Sequence, residues 1–160
     1  EEKAANILFT LQRLVLVERY RNPIYESLAD RVEHMMELWR EKTRDFERIY
    51  TEGAKIFKEK DVLENRQKSL GFGKLEYALL LNLEEALGKD ESLVAGVQNL
   101  QQDLKSVMFP GWINQVTANK AVEQKVRKFV RSYKSKYTLS LENMDVLYKK
   151  LIASVKNYGV

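Results

Sequence analysis

The amino-acid sequence predicts an all-α fold, an irregular multi-helix bundle of about seven helices. Hydrophobic residues recur at helical spacing over nearly the whole chain. Only 7 Gly and 2 Pro occur in 160 residues, too few turn formers for a β-sandwich or barrel of this size. Apolar residues make up 44% and charged residues 31%, enough for a core beneath a polar surface. The expected organisation is one helical domain over residues 1–160, with a hinge that separates sub-units 1–109 and 110–160.

The elements follow in order. Ile7, Leu8, Leu11, Leu14, Val15 and Leu16 form a broad apolar face for a first helix. Asn22-Pro23 reads as an N-cap followed by Pro at the first helical position, with Glu26 in the first turn. The helix it opens carries Ile24, Leu28, Val32, Met35, Met36 and Trp39 on one stripe. Thr43 is the expected cap of a third helix, whose stripe of Phe46, Ile49, Tyr50 and Phe57 is interrupted by Gly53. Between Lys58 and Lys68 only Val62 and Leu63 are apolar anchors, so this stretch reads either as an exposed continuation or as a break near Asp61. Leu70-Gly71-Phe72-Gly73 is punctuation, with Gly71 at a positive φ. A Leu-rich helix from Lys74 to Leu87 closes at Gly88, and Asp90 caps a helix carrying Leu93, Val97, Leu100 and Leu104. Phe109-Pro110-Gly111-Trp112 is the expected hinge. Two helices end the chain, Ala118 to Lys134 and Leu141 to Tyr158.

The chemistry-bearing residue types are sparse. With no Cys there is no disulfide, no thiol nucleophile and no Cys-ligated zinc, which fits a reducing, cytoplasmic setting. One His, His34, supports neither a His-ligated metal nor a His-based catalytic array. Gly71-Phe72-Gly73-Lys74 has neither the spacing nor the hydroxyl residue of a phosphate-binding loop, and reads as a turn. The carboxylate pairs Glu84-Glu85 and Asp90-Glu91 suit capping and dipole compensation. Glu41, Asp45, Glu59 and Asp61 have the spacing of an exposed helix surface rather than of a metal site. No catalytic residue, no metal ligand and no cofactor is expected in this chain. The most apolar windows, Ile7 to Val17 and Leu79 to Leu87, are too short to span a bilayer, so no membrane partner is expected. The start at Glu1-Glu2-Lys3 suggests a piece of a longer protein.

Charge is the informative feature. The chain carries a net +4, but Lys120 to Val160 holds 10 basic and 3 acidic residues, a net +7. The first 119 residues keep 17 basic and 20 acidic groups, a net −3. At roughly 100° per residue, Val122, Val126, Phe129, Val130 and Tyr133 share one face of a helix. Lys120, Arg127, Arg131 and Lys134 share the opposite face, flanked by Lys125, Lys128 and Lys136, with Glu123 the one acid. Three readings are open: a solvated face, a surface for DNA phosphates, and a surface for an acidic protein. Lys120, Arg127, Lys128, Arg131 and Lys134 are the candidate partner or nucleic-acid contacts. Trp112 joins them as a candidate anchor, with closure of a local core as its other reading.

Four segments, in order, resemble the C-terminal helical domain of the R (restriction, motor) subunit of type I restriction–modification enzymes. They are Asn22-Pro23-Ile24-Tyr25-Glu26-Ser27-Leu28, then Leu70-Gly71-Phe72 with Glu76-Tyr77-Ala78, then Trp112, then the basic helix Glu123-Gln124-Lys125-Val126-Arg127-Lys128-Phe129-Val130-Arg131. The chain departs from the family where Tyr137-Thr138-Leu139-Ser140 leads into a further helix in place of an aromatic-Pro ending. The resemblance implies a parent that is an ATP-dependent DNA translocase and endonuclease, with ATP and Mg bound in upstream domains. It implies a non-catalytic assembly domain here, whose partner is the modification methyltransferase subunit, and duplex DNA is the alternative partner.

Overall fold

The computed structural model describes residues 1–160 and contains seven α-helices and no strand. The helices form two compact units, residues 1–72 and 73–160. The division falls at the Gly71-Phe72-Gly73 punctuation and not at 109/110, where the sequence suggested a hinge.

The first unit holds α1 (Glu2–Leu11), α2 (Pro23–Arg40) and α3 (Phe46–Leu70). Helix α1 runs on into a π-helical turn, Gln12–Leu16, marked by the Val17 N–H donating to the Gln12 carbonyl at 3.4 Å. Ala4, Leu8, Leu11 and Val15 are buried, while Leu14 and Leu16 are half-buried, so the buried stripe is narrower than the sequence suggested. Helix α2 starts as expected: the Asn22 side chain accepts from the Ile24 N–H at 2.9 Å, and Pro23 occupies the first helical position, where its missing N–H costs nothing. Trp39 is half-buried between Phe9 and Phe46, edge-on to both at 5.6 and 5.8 Å, with the Arg44 guanidinium 4.5 Å above its ring.

Helix α3 is capped by Asp45, whose carboxylate accepts from the Arg48 N–H at 3.0 Å, and not by Thr43. Asp45 directly precedes the helix, so its short side chain reaches the third free N–H, which Thr43 cannot. The helix does not break at Asp61. The Lys60–Glu64 pair, 2.9 Å apart at i,i+4, spans that point, and Arg31 pairs with Glu59 from α2. Gly71 ends the helix at φ 68°, with its N–H on the Lys68 carbonyl and the Phe72 N–H on the Gln67 carbonyl.

The second unit holds α4 (Lys74–Leu87), α5 (Ser92–Lys105), a 3-10 turn (Trp112–Asn114), α6 (Val116–Ser132) and α7 (Leu141–Tyr158). Helix α4 packs on α5 and α7, and α6 packs on α5 and α7. Within the α4–α7 contact Asn82 donates to the Ser154 hydroxyl at 2.8 Å and satisfies a buried polar group. Trp112 is 2% exposed, and its indole N–H donates to the Gly159 carbonyl at 3.0 Å. That bond ties the 109–112 turn to the end of α7, which is why this turn lies inside a unit. No helix is long and apolar enough to cross a membrane.

Gly53 sets the α1–α3 spacing, since a Cβ there would sit 3.0 Å from three atoms of the Ile7 side chain. Gly53→Val is therefore expected to destabilise the protein by roughly 1–3 kcal/mol through overpacking. Chemical denaturation checks this, and the loss should shrink in an Ile7→Ala background.

Candidate docking face

The candidate face is built by α6. Val122 and Val126 are fully buried, and Ala118 and Val130 nearly so, one turn apart along the helix. The opposite side then faces water. Lys120, Lys128, Arg131 and Lys134 are exposed there. None of the four lies within ion-pair distance of a carboxylate. From Lys120 to Arg131 the row runs about 16 Å, at roughly 1.5 Å per residue. Lys134 follows α6, in the turn that leaves it, because the helix ends at Ser132 rather than at Lys134.

Both ends of the helix are fixed. At the start, the Asn119 side-chain amide lies 2.6 Å from the Ile113 carbonyl, 3.0 Å from that of Gln115 and 3.2 Å from that of Trp112. This holds the 3-10 turn on α6. At the other end Phe129, Tyr133 and Tyr137 form an edge-to-face ladder with ring centres 5.1 and 5.7 Å apart. The ladder is admitted by Gly96 of α5, since the Tyr133 hydroxyl occupies the place of a Cβ. The Tyr137 hydroxyl donates to Asp90 at 2.7 Å, and the Lys136 ammonium sits 2.9 Å from both Asp90 and the Ser92 hydroxyl. Asp90 also accepts from the Ser92 N–H at 3.0 Å, at the first residue of α5, whose N-cap position is Glu91 rather than the expected Asp90. The Tyr137 hydroxyl, then Lys136 and Ser92, hold the Asp90 carboxyl well below the usual carboxylate range.

The sequence-predicted residues divide into three groups. Lys120, Lys128, Arg131 and Lys134 form the open face. Arg127 leans off it, its guanidinium 4.0 Å above the Tyr148 ring of α7. Burial pushes the Tyr148 hydroxyl's pKa up, against the pull of Arg127. Trp112 is no anchor for a partner, because its ring is enclosed and its one donor is used. Of the flanking cations, Lys136 is spent on Asp90, and Glu123 meets Lys156 of α7 at 3.5 Å.

Helix α7 was not part of the sequence-predicted site. Leu141, Met144 and Tyr148 stand at i, i+3 and i+7 on one stripe, a signal that the spacing carried. With Arg127, Val130, Arg131 and Asp145 they line a cleft of about 210 Å³ between α6 and α7.

Four of the other acidic groups singled out in the sequence have structural partners. Asp45 caps α3, Glu59 meets Arg31, Asp61 lies 3.8 Å from Lys60 and Glu85 lies 3.6 Å from Lys150. His34 is 3.7 Å from Glu37 on the surface of α2. No three His, Asp or Glu side chains converge into a metal-ligand set. Comparison with family models, with curated proteins and with solved structures finds no match for this chain.

The Asp90 clamp makes a pH-dependent prediction. A carboxylate whose pKa is depressed on folding adds stability above its unfolded pKa of about 3.9, and loses that contribution as the pH falls through its folded value. Asp90→Asn is therefore expected to lower the melting temperature at neutral pH. The difference from wild type should persist near pH 4 and vanish only in stronger acid. Thermal melts of both proteins across an acid series check it.

Proposed function

We propose that this chain is a non-catalytic assembly domain of the kind that closes the R subunit of type I restriction–modification enzymes, docking a DNA-translocating motor onto its modification methyltransferase. The observation that carries the reading is the unpaired basic face of α6, held rigid at both ends. A row of cations without internal partners has its electrostatic free energy unspent, so a complementary acidic surface gains most there. The ordered family motifs supply the identity of the partner. Catalysis is left to the parent's upstream domains, where ATP and Mg would bind.

A second reading, duplex DNA as the partner, draws on the same row. Lys120 and Arg131 lie along one line of α6, with Lys128 beside it and Lys134 beyond the helix end, a row that backbone contacts to phosphates could use.

Size exclusion of the chain with the cognate methyltransferase core tests the first reading. Co-elution is expected at micromolar concentration. The triple reversal Lys120→Glu, Lys128→Glu, Arg131→Glu is expected to abolish it without changing the melting curve. Unchanged co-elution of the triple variant would reject the α6 face, and no co-elution of the wild type would reject the assembly reading. Duplex binding with a log–log salt slope of roughly −3.6, about −0.9 for each of four phosphates, would favour the second reading.

A further inference from the structure

We infer that the cleft between α6 and α7 is a peptide-docking site, and that its occupant is a partner segment with one apolar anchor flanked by carboxylates. The inference rests on the assembly reading and specifies the chemistry of what that surface receives.

The cleft is two-faced. One rim is cationic: Arg127 and Arg131 stand one turn apart on α6, with Cβ atoms about 5–6 Å from each other. Arg127 is pre-set, because stacking on Tyr148 at 4.0 Å fixes its guanidinium plane and lowers the entropy lost on binding a carboxylate. The one acid in the lining, Asp145, is paired with Lys149 at 2.9 Å along α7. The rim therefore keeps a net positive charge. The apolar part of the lining is Val130, which is buried, with Met144 and the exposed Leu141. Leu141 opens α7 with 76% of its surface exposed, and nothing in the unit's own packing requires a leucine at that position. Ser140 already caps the helix by accepting from the Asn143 N–H at 3.0 Å.

Charge and size together select the occupant. A phosphate backbone would find the two arginines but has no apolar group to bury on Leu141 and Met144. An acidic peptide with a Leu or Phe uses both halves. At about 210 Å³ the cleft falls below the roughly 300–1,000 Å³ of small-molecule pockets, so it suits one inserted side chain rather than a nucleotide or cofactor. This is the arrangement of a binding hot spot, an apolar anchor beside an arginine pair.

Fluorescence anisotropy on the full chain tests it with two labelled peptides. One carries a Leu-Phe pair flanked by Glu residues, and the other has Ser-Ser in place of the pair. The Leu-Phe peptide is expected to bind about tenfold more tightly, and Arg131→Glu to weaken it about tenfold. Leu141→Ser with Met144→Gln should erase the preference and leave the Ser-Ser peptide's affinity in place. Leu141 is exposed, so the melting curve of that variant should follow the wild type. Equal affinity for the two peptides overturns the inference, as does a preference that survives the double variant. Displacement of both peptides alike by short duplex DNA assigns the cleft to phosphate and overturns it too. The assembly reading stands or falls separately, on co-elution with the methyltransferase core.

Discussion

The burial of the valine ridge on α6 is the constraint on which the candidate face depends. Burying a valine contributes roughly 1.5–3 kcal/mol, so Val122, Val126 and Val130 together outweigh the surface ion pair of α6, Glu123 with Lys156, at about 0–1 kcal/mol. The ridge, not the charges, fixes the rotation of the helix. Once it faces α5 and α7, Lys120, Lys128 and Arg131 can only face water. The basic face is thus a consequence of the apolar one. It stays basic because the nearby acids are committed elsewhere: Glu123 is turned to Lys156, Asp90 to Lys136 and Tyr137, and Asp145 to Lys149.

Rigidity follows from the two ends. Asn119 and Trp112 fix the start of α6, and the Phe129–Tyr133–Tyr137 ladder with Asp90 fixes its exit. A docking surface gains from being held in its bound form, since less order must be imposed on association. The same residues explain why Arg127 and Lys136 stand apart from the open row of α6 despite their place on the helical wheel. Each is drawn to a partner on another element, Tyr148 of α7 and Asp90 before α5. The four open cations are those whose neighbours offer nothing.

Much of the fold was legible in the sequence. Asn22-Pro23 and Gly71 behave as their local chemistry demands, because a cap or a left-handed glycine depends only on nearby atoms. The apolar spacing located all seven helices for the same reason. Most of what escaped the sequence depends on contacts far along the chain. The cap of α3 is a local exception: Asp45 takes it rather than Thr43, a choice set by two residues of register. The 109–112 turn looked like a hinge because Pro110 and Gly111 interrupt the helical pattern, yet Trp112 bonds to Gly159 across 47 residues. Arg127 leans off the basic face that the helical wheel gives it, since its partner Tyr148 lies on the next helix. The π-helical turn at Gln12–Leu16 has no local signal in the residues that form it.

The proposed docking places the α6 row against a methyltransferase core. Lysine acetylation footprinting of the chain, alone and with the methyltransferase core, tests it residue by residue. Lys120, Lys128 and Lys134 are expected to be protected in the complex. Lys42 and Lys58 on the first unit, and Lys136 held by Asp90, are expected to label equally in both samples. Equal labelling of Lys120, Lys128 and Lys134 in a complex that forms would contradict the account.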